Sequence, residues 1–271
     1  MKKKKHGVKK KQMSNINKTV IEKSLTDAIN KSHQHLRLPS GVIETFNKFH
    51  DKTCGEKIRK TELGLFTDSE GNEILTKRGG KTSITWDTRT VHDAFKEHGE
   101  LHMTHNHPRT NGEGMRSVAE CLSTTDIDTF LRDYTYSVDG GQTLFDKPVF
   151  IEKSISCESP NGSRMTLVRG DKYKIEDYND AMDYAFELSD AFFTYEGDFF
   201  TNLQKMKENY PYDNNKYNYS DYCQFLTKKT INKLGRFEDS DKFKSIQKDF
   251  RRVNLKLTMT YPSDYNVVYN V

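Results

Sequence analysis

The sequence predicts an α/β (α+β) fold with a mostly helical C-terminal extension, and three observations lead to this prediction. Residues 58–170 alternate short β-prone runs with amphipathic helical patterns. From about residue 171, apolar side chains recur at helical spacing, which indicates packed helices. Finally, apolar residues alternate strictly through 255–261, so a strand is expected there.

Composition divides the chain into four segments. The basic tail, residues 1–17, carries seven lysines in its first twelve positions and should be disordered, because blocks of like charge repel one another. We expect an N-terminal helical segment at residues 18–57 and a strand-rich domain at residues 58–170. The remainder, residues 171–271, should form the helical extension that ends in a strand.

The net charge of +4 is misleading, because removing the seven tail lysines leaves −3 for the rest of the 271-residue chain. Nucleic-acid binding would therefore be limited to weak, salt-sensitive polyanion binding by the tail. No stretch approaches the roughly 20 apolar residues of a membrane helix, and no apolar region follows the basic N-terminus as in a secretory signal. We expect a cytoplasmic or phage-associated protein that does not interact with membranes.

The first half of the strand-rich domain has the signals of a β-hairpin. Residues 62–66 and 74–75 are β-prone and flank a turn-forming run at 68–72. After a Gly-Gly break, residues 83–86 should add further β structure. A short helix is predicted next, at residues 91–98.

The elements that follow have recognisable ends. Thr90 is the expected N-cap of the short helix and Gly99 its end. Leu101–His107 should be a strand that stops at Pro108, which has no N–H to donate to a neighbouring strand. Later strands are predicted at 134–138, 148–151 and 165–168. Later helices are predicted after Ser123, from about 171, at 221–234 and at 240–251, with a loop at 208–219 and with Ser220 and Ser240 as caps.

The predicted strand before Pro108 carries the most informative residues of the chain, His105 and His107. Because side chains two residues apart on a strand point to the same side, these two imidazoles should project together, whereas His102 should point the other way. Two imidazoles on one side of a strand are suitable zinc ligands. The sequence therefore predicts a metal site at this strand.

A catalytic zinc ion takes three protein ligands and leaves one position for water. Asp126, in the run that opens with Ser123, is the candidate for the third ligand. Glu62 lies in a strand context and is the candidate general base, which must lie within reach of the attacking water. Glu70 and Glu73 are nearby alternatives for the base, but they fall in or beside the predicted turn.

The chain order of Glu62, then His105-x-His107-Pro, then Ser123-x-x-Asp126 resembles the motif of the JAMM (MPN-plus) zinc metalloproteases. That family includes deubiquitinating isopeptidases, bacterial RadC-like proteins and the JAB domains of phage head proteins and toxins. The Thr-His-Asn-His-Pro run is most similar to the bacterial and phage branch. The resemblance covers the strand-rich domain.

The resemblance implies a JAMM-type (cytidine-deaminase-like) mixed β-sheet flanked by helices. It implies that His105, His107 and Asp126 bind Zn²⁺. It also implies that Glu62 activates the water and that Ser123 donates a hydrogen bond to the oxyanion of the tetrahedral intermediate. The expected reaction is hydrolysis of a peptide or isopeptide bond in a protein or peptide substrate, such as a ubiquitin-like, phage or toxin polypeptide.

The spacing after the second histidine departs from the family. Fifteen residues separate His107 from Ser123, where the family usually has about half as many. We interpret residues 109–122 as an enlarged loop over the site. A competing alignment uses Ser117 and Glu120 instead, and Cys121 is a further candidate ligand, so these alternatives stay open.

A second hypothesis is a catalytically inactive JAMM-fold module with a binding or structural role, either phage head-associated or RadC-like and nucleic-acid-associated. The helical zinc-protease motif H-E-x-x-H is absent, which excludes the commonest helical type of zinc protease. The four cysteines are scattered and contain no C-x-x-C pair, which argues against a separate structural zinc site. They are Cys54, Cys121, Cys157 and Cys223.

Overall fold

The computed structural model of the protein describes residues 36–54, 61–81, 83–107, 122–132, 150–158 and 163–260. The strands are β1 (Leu63–Thr67), β2 (Glu73–Arg78), β3 (Leu101–Asn106), β4 (Glu152–Glu158), β5 (Arg164–Arg169) and β6 (Leu255–Thr260). The α-helices are α1 (Ser40–Cys54), α2 (Thr88–His98), α3 (Thr124–Leu131), α4 (Tyr178–Asn209), α5 (Tyr219–Leu234) and α6 (Asp241–Arg252). Single turns of 3₁₀-helix, Ile175–Asp177 and Phe237–Asp239, come shortly before α4 and α6.

The described strands form one six-stranded mixed sheet in the order β2-β1-β3-β4-β5-β6. β3 and β4 pair in parallel, and the other neighbouring strands pair antiparallel. In this register His105 of β3 lies between Gly64 of β1 and Cys157 of β4. Residues from three separate parts of the chain therefore meet at the C-terminal end of β3.

Different helices cover the two faces of the sheet. On one face, strand residues such as Met103 and Leu257 join the main hydrophobic core, to which α2, α3, α4 and α6 contribute. On the other face α1 packs with its buried residues Val42, Phe46 and Phe49. This arrangement confirms the predicted α/β fold, a mixed sheet flanked by helices with a mostly helical C-terminal region.

A buried ion-pair network ties α1 to the same end of the sheet. The Glu158 carboxylate is completely buried, lies 2.6 Å from Nδ1 of His50, and accepts a hydrogen bond from the guanidinium of Arg164. Arg164 also donates to the backbone carbonyl of Phe46 in α1 at 2.7 Å. Just after the neighbouring strand β3, the backbone N–H of His107 donates to the carbonyl of Glu158 at 3.0 Å. One residue of β4 therefore holds both α1 and the chain just after β3.

The predicted hairpin is confirmed by β1 and β2, but the prediction of further β structure at residues 83–86 is wrong. This segment instead packs its side chains over Gly64, where an added Cβ would lie 2.8 Å from side-chain atoms of both Ile84 and Trp86. The Trp86 ring packs edge-on against Phe66, with ring centroids 4.8 Å apart. Packing of bulky side chains over a glycine, rather than strand pairing, therefore decides the conformation here.

Two predicted helix caps are also wrong, and both helices begin earlier than expected. Asp87, and not Thr90, caps α2, because its carboxylate accepts a hydrogen bond from the Thr90 backbone N–H at 2.8 Å. Asn218 caps α5 in the same way, and Ser220 lies inside that helix. Short carboxylate and amide side chains accept such bonds at least as well as hydroxyls. The predicted cap of α6, Ser240, is confirmed.

The predictions of the later strands are confirmed only in part. The strand expected at 165–168 is confirmed as β5, but residues 150–151 precede β4 and are not in a strand. Phe150 instead places its ring 4.4 Å from the guanidinium of Arg169. The basic tail, the N-terminal segment before residue 36 and the strand predicted at 134–138 lie outside the described residues.

The C-terminal extension contributes to the sheet as well as to the helical layer. Strand β6 pairs with β5 over its whole length. The distal part of α4 packs against α5 through a second cluster made of Phe199, Leu203, Tyr222 and Leu226. Although α4 has 32 residues, no helix in the described ranges is both long and apolar enough to cross a membrane.

A buried arginine connects α3 to the sheet. Arg169 on β5 donates to the backbone carbonyl of Glu152 at 2.8 Å and to that of Phe130 near the end of α3. Its guanidinium also lies 4.3 Å from the centre of the Phe130 ring. Because α3 carries Asp126, this arginine helps to fix the helix that presents a candidate site residue.

Arg169→Met is expected to lower the free energy of unfolding by about 3–6 kcal/mol, since it removes two hydrogen bonds from a charged group and each contributes ~1.5–3 kcal/mol. Chemical denaturation with both fluorescence and circular dichroism would measure this change. Arg251→Met, at an exposed position of α6, is the matched control and should change stability little. Equal stabilities of the two variants would contradict a structural role for Arg169.

Candidate metal centre

Two histidines meet at the C-terminal end of β3, as the strand alternation predicts. His105 points into the core side of the sheet, and His107 comes directly after the strand. Their Nε2 atoms lie 3.2 Å apart, and their ring centroids 5.0 Å apart. His102 faces the α1 side, where its Nδ1 lies 2.8 Å from the hydroxyl of Ser154. The structure therefore brings the predicted pair together and keeps His102 away from it.

Asp126 reaches both histidines from the first turn of α3. Its Oδ1 lies 3.4 Å from Nε2 of His105, and its Oδ2 lies 3.6 Å from Nε2 of His107. Ser123 caps the helix by accepting a hydrogen bond from the Asp126 backbone N–H at 3.1 Å. Its own N–H and hydroxyl donate to Asp126 Oδ2 at 2.8 and 2.7 Å. This reciprocal capping box begins the helix and at the same time orients the carboxylate.

The surroundings of Asp126 keep it ionised. Burial disfavours the charged form, but the charges of His105 and His107 and their hydrogen bonds to the carboxylate outweigh this effect. Together they hold the pKa of Asp126 well below its usual value. The N-terminal end of α3 favours a negative charge as well. Asp126 is therefore in the protonation state that a metal ligand needs.

Glu62 lies at the same end of the sheet, immediately before β1. Its backbone extends the β1–β2 pairing through hydrogen bonds of 2.8 and 2.9 Å to residues 79–80. Burial raises the pKa of the Glu62 carboxyl, the charges of His107 and His105 lower it, and that of Asp126 raises it. The net result is a pKa above the ordinary value of 4.5. Glu62 is thus buried close to the histidine–aspartate cluster, and its affinity for a proton is increased.

The sequence also offered alternative candidates for the general base and for the remaining site residues. Glu70 and Glu73 lie at the opposite end of β1 and are exposed, and Oε1 of Glu73 is 3.7 Å from Nζ of Lys52. Neither carboxylate is near the histidines, since β1 runs antiparallel to β3. The competing residues Ser117, Glu120 and Cys121 lie outside the described residues.

Cys157 is a site residue that the sequence did not single out. It is completely buried on β4, directly beside His105 in the parallel register, so both side chains point to the same side of the sheet. The candidate ligand atoms of His105, His107 and Cys157 all lie within 4.8 Å of one another. These three residues form a group that could hold a metal ion.

The candidate ligand atoms of His105, His107 and Asp126 lie close to one another. Two ligand atoms bound tetrahedrally at ~2.0–2.1 Å lie about 3.3–3.4 Å apart. Nε2 of His105 lies 3.2 Å from Nε2 of His107 and 3.4 Å from Oδ1 of Asp126, and Nε2 of His107 lies 3.6 Å from the other carboxylate oxygen, Oδ2. Imidazole and carboxylate donors suit Zn²⁺.

If the site binds a metal ion, Ser123→Ala is expected to weaken that binding, tested here with Zn²⁺, by about 10–100-fold, the usual cost of losing a group that orients a metal ligand. It should also lower stability by ~1 kcal/mol through loss of the helix cap. Competition with a fluorescent zinc chelator measures the affinity. Ser240→Ala is a matched control, since Ser240 caps α6 by the same geometry, accepting from Phe243 N at 3.1 Å. If both variants bind zinc equally well, Ser123 does not position Asp126.

Comparisons of this chain with protein-family models, with curated proteins and with solved structures found no match. The resemblance to the JAMM motif therefore rests on the residues at this site.

Proposed function

We propose that this protein is a zinc-dependent hydrolase of the JAMM (MPN-plus) type, which cleaves a peptide or isopeptide bond. One observation carries the proposal. Two imidazole nitrogens lie 3.2 Å apart, each has one oxygen of the Asp126 carboxylate 3.4–3.6 Å away, and the charges of all three residues act on a second, buried carboxyl, that of Glu62. A metal-binding residue set and an adjacent base are the two parts that hydrolysis by an activated water requires.

In this proposal His105, His107 and Asp126 hold the ion. A bound zinc ion would supply Lewis-acid chemistry, polarising the substrate carbonyl and lowering the pKa of a water to around 7. Glu62 takes the proton of the attacking water and delivers it to the leaving amine. Its buried position suits this task, because a carboxylate with a raised pKa holds a proton more readily than an exposed one.

Ser123 has two tasks in the proposed reaction. In this structure its hydroxyl proton is directed at Asp126 Oδ2. To donate to the oxyanion of the intermediate, the hydroxyl has to turn towards the substrate. The backbone N–H of Ser123 can continue to hold Asp126 during that rotation, because it donates to the same oxygen at 2.8 Å.

A second candidate function is a non-catalytic module that keeps the metal for structural or binding purposes. The observation that favours it is Cys157, which offers a further ligand beside His105 and His107. Structural zinc sites are closed by four protein ligands, whereas catalytic sites keep one position open. A permanently bound thiolate would favour this second function.

The test begins with the zinc content of the purified protein, which should be about one ion per chain. The zinc-loaded protein is then incubated with a mass-encoded peptide library and with lysine ε-linked isopeptide substrates. Hydrolysis that is lost on chelation and restored by zinc would support the hydrolase. One bound zinc without cleavage of either substrate class would favour the non-catalytic module, and a protein that binds no zinc would contradict both.

A further inference from the structure

Cys157 lies close to the two histidines of the proposed site. Parallel pairing of β3 and β4 places it directly beside His105, on the side of the sheet that faces α3 and Asp126. Its candidate ligand atom is within 4.8 Å of those of both histidines. Its side chain is completely buried, so the sulfur faces the interior of the domain at this position.

A cysteine sulfur at this distance from the histidines could bind the same metal ion. Thiolate is a strong zinc ligand, bound at ~2.3 Å, and it favours zinc over magnesium or calcium. Asp126 approaches the two histidines from α3, whereas Cys157 approaches from the neighbouring strand. Two histidines, one carboxylate and one thiolate are four candidate ligands, and four is the number that a tetrahedral zinc site takes.

We propose that Cys157 is a fourth metal ligand, which competes with water for the position that hydrolysis requires. The inference rests on the proposed zinc-dependent function and deepens it. With the thiolate bound, the site is closed and inactive. Hydrolysis then requires Cys157 to withdraw, so this residue sets the fraction of protein that is ready to react.

Cobalt substitution tests the ligand directly. Metal-free, full-length protein is titrated with Co²⁺ and its absorption spectrum is recorded. A thiolate bound to Co²⁺ gives an intense charge-transfer band in the near ultraviolet, which imidazole and carboxylate ligands do not give. We expect this band in the wild-type protein.

Two variants assign the band to one sulfur. The triple variant Cys54→Ser, Cys121→Ser, Cys223→Ser leaves β4 unchanged and should keep the band. Cys157→Ala should lose it and bind zinc at least about tenfold more weakly, as expected for loss of a metal ligand. Hydrolysis per bound zinc should increase in Cys157→Ala, because water no longer competes with sulfur. The triple variant decides the question even if Cys157→Ala does not fold.

The outcomes separate this inference from the proposed function. Cobalt binding that requires His107 but gives no charge-transfer band would overturn the role of Cys157 and leave the hydrolase proposal intact. Loss of the band in the triple variant would assign the ligand to another cysteine and also overturn it. A slower rate per bound zinc in Cys157→Ala would refute the competition with water. A protein that binds neither metal would refute both proposals.

Discussion

Glu62→Gln is expected to lower the rate of hydrolysis by about 10²–10⁴-fold, the usual contribution of a general base. Glutamine has the size of glutamate but cannot accept the proton of the attacking water. The substitution should leave zinc content unchanged, because Glu62 is not one of the proposed ligands. Cleavage rates of the zinc-loaded variant, measured at saturating substrate, give the size of the effect.

The stability of Glu62→Gln separates this interpretation from a folding defect. Burial raises the pKa of Glu62, so its charged form is disfavoured in the folded protein without metal. A neutral amide avoids that cost, and the metal-free variant should be at least as stable as the wild type. Glu73→Gln, at an exposed position on β2, is the matched control and should keep full activity. A fully active Glu62→Gln protein would show that the base is elsewhere.

His107→Ala is expected to weaken zinc binding by at least about a hundredfold. Structural zinc sites bind with ~10–16 kcal/mol in total, so that one of four ligands contributes roughly 3 kcal/mol. Isothermal titration of the metal-free protein, checked by elemental analysis after dialysis, measures the loss. Hydrolysis should fall with zinc occupancy, and excess zinc should restore only part of it.

The control for this prediction is His98→Ala, at the last position of α2. It removes an imidazole of the same chemistry outside the proposed ligand set and should leave zinc affinity unchanged. Wild-type affinity in His107→Ala would exclude this histidine as a ligand. The proposed site would then lose one of its two defining residues.

Much of the site could be predicted because its signals are local. The alternation of β3 places His105 and His107 on one side, and this depends only on the geometry of a single strand. Ser123 and Asp126 stand at the spacing of a capping box, which depends only on one helix turn. Choosing Glu62 as the candidate base was harder, because three glutamates lie near the hairpin. The antiparallel register of β1 with β3 shows which of them lies at the same end of the sheet as the histidines.

The position of Cys157 beside His105 could not be predicted, because it depends on which strands are neighbours in the sheet. About fifty residues separate it from His105, and a parallel pair needs a long connection whose end point no local pattern specifies. The prediction of β structure at residues 83–86 was wrong for a related reason. Its β-prone side chains pack over Gly64, a contact between distant parts of the sequence that overrides local preference.

The double attachment of Glu158 has a consequence for the dynamics of the molecule. Its carbonyl holds the backbone of His107, while its carboxylate holds His50 and Arg164 on the opposite face. An ion that restrains His107 should therefore slow amide hydrogen exchange in α1, although that helix supplies no ligand. Conversely, local unfolding of α1 would release metal before the sheet itself melts.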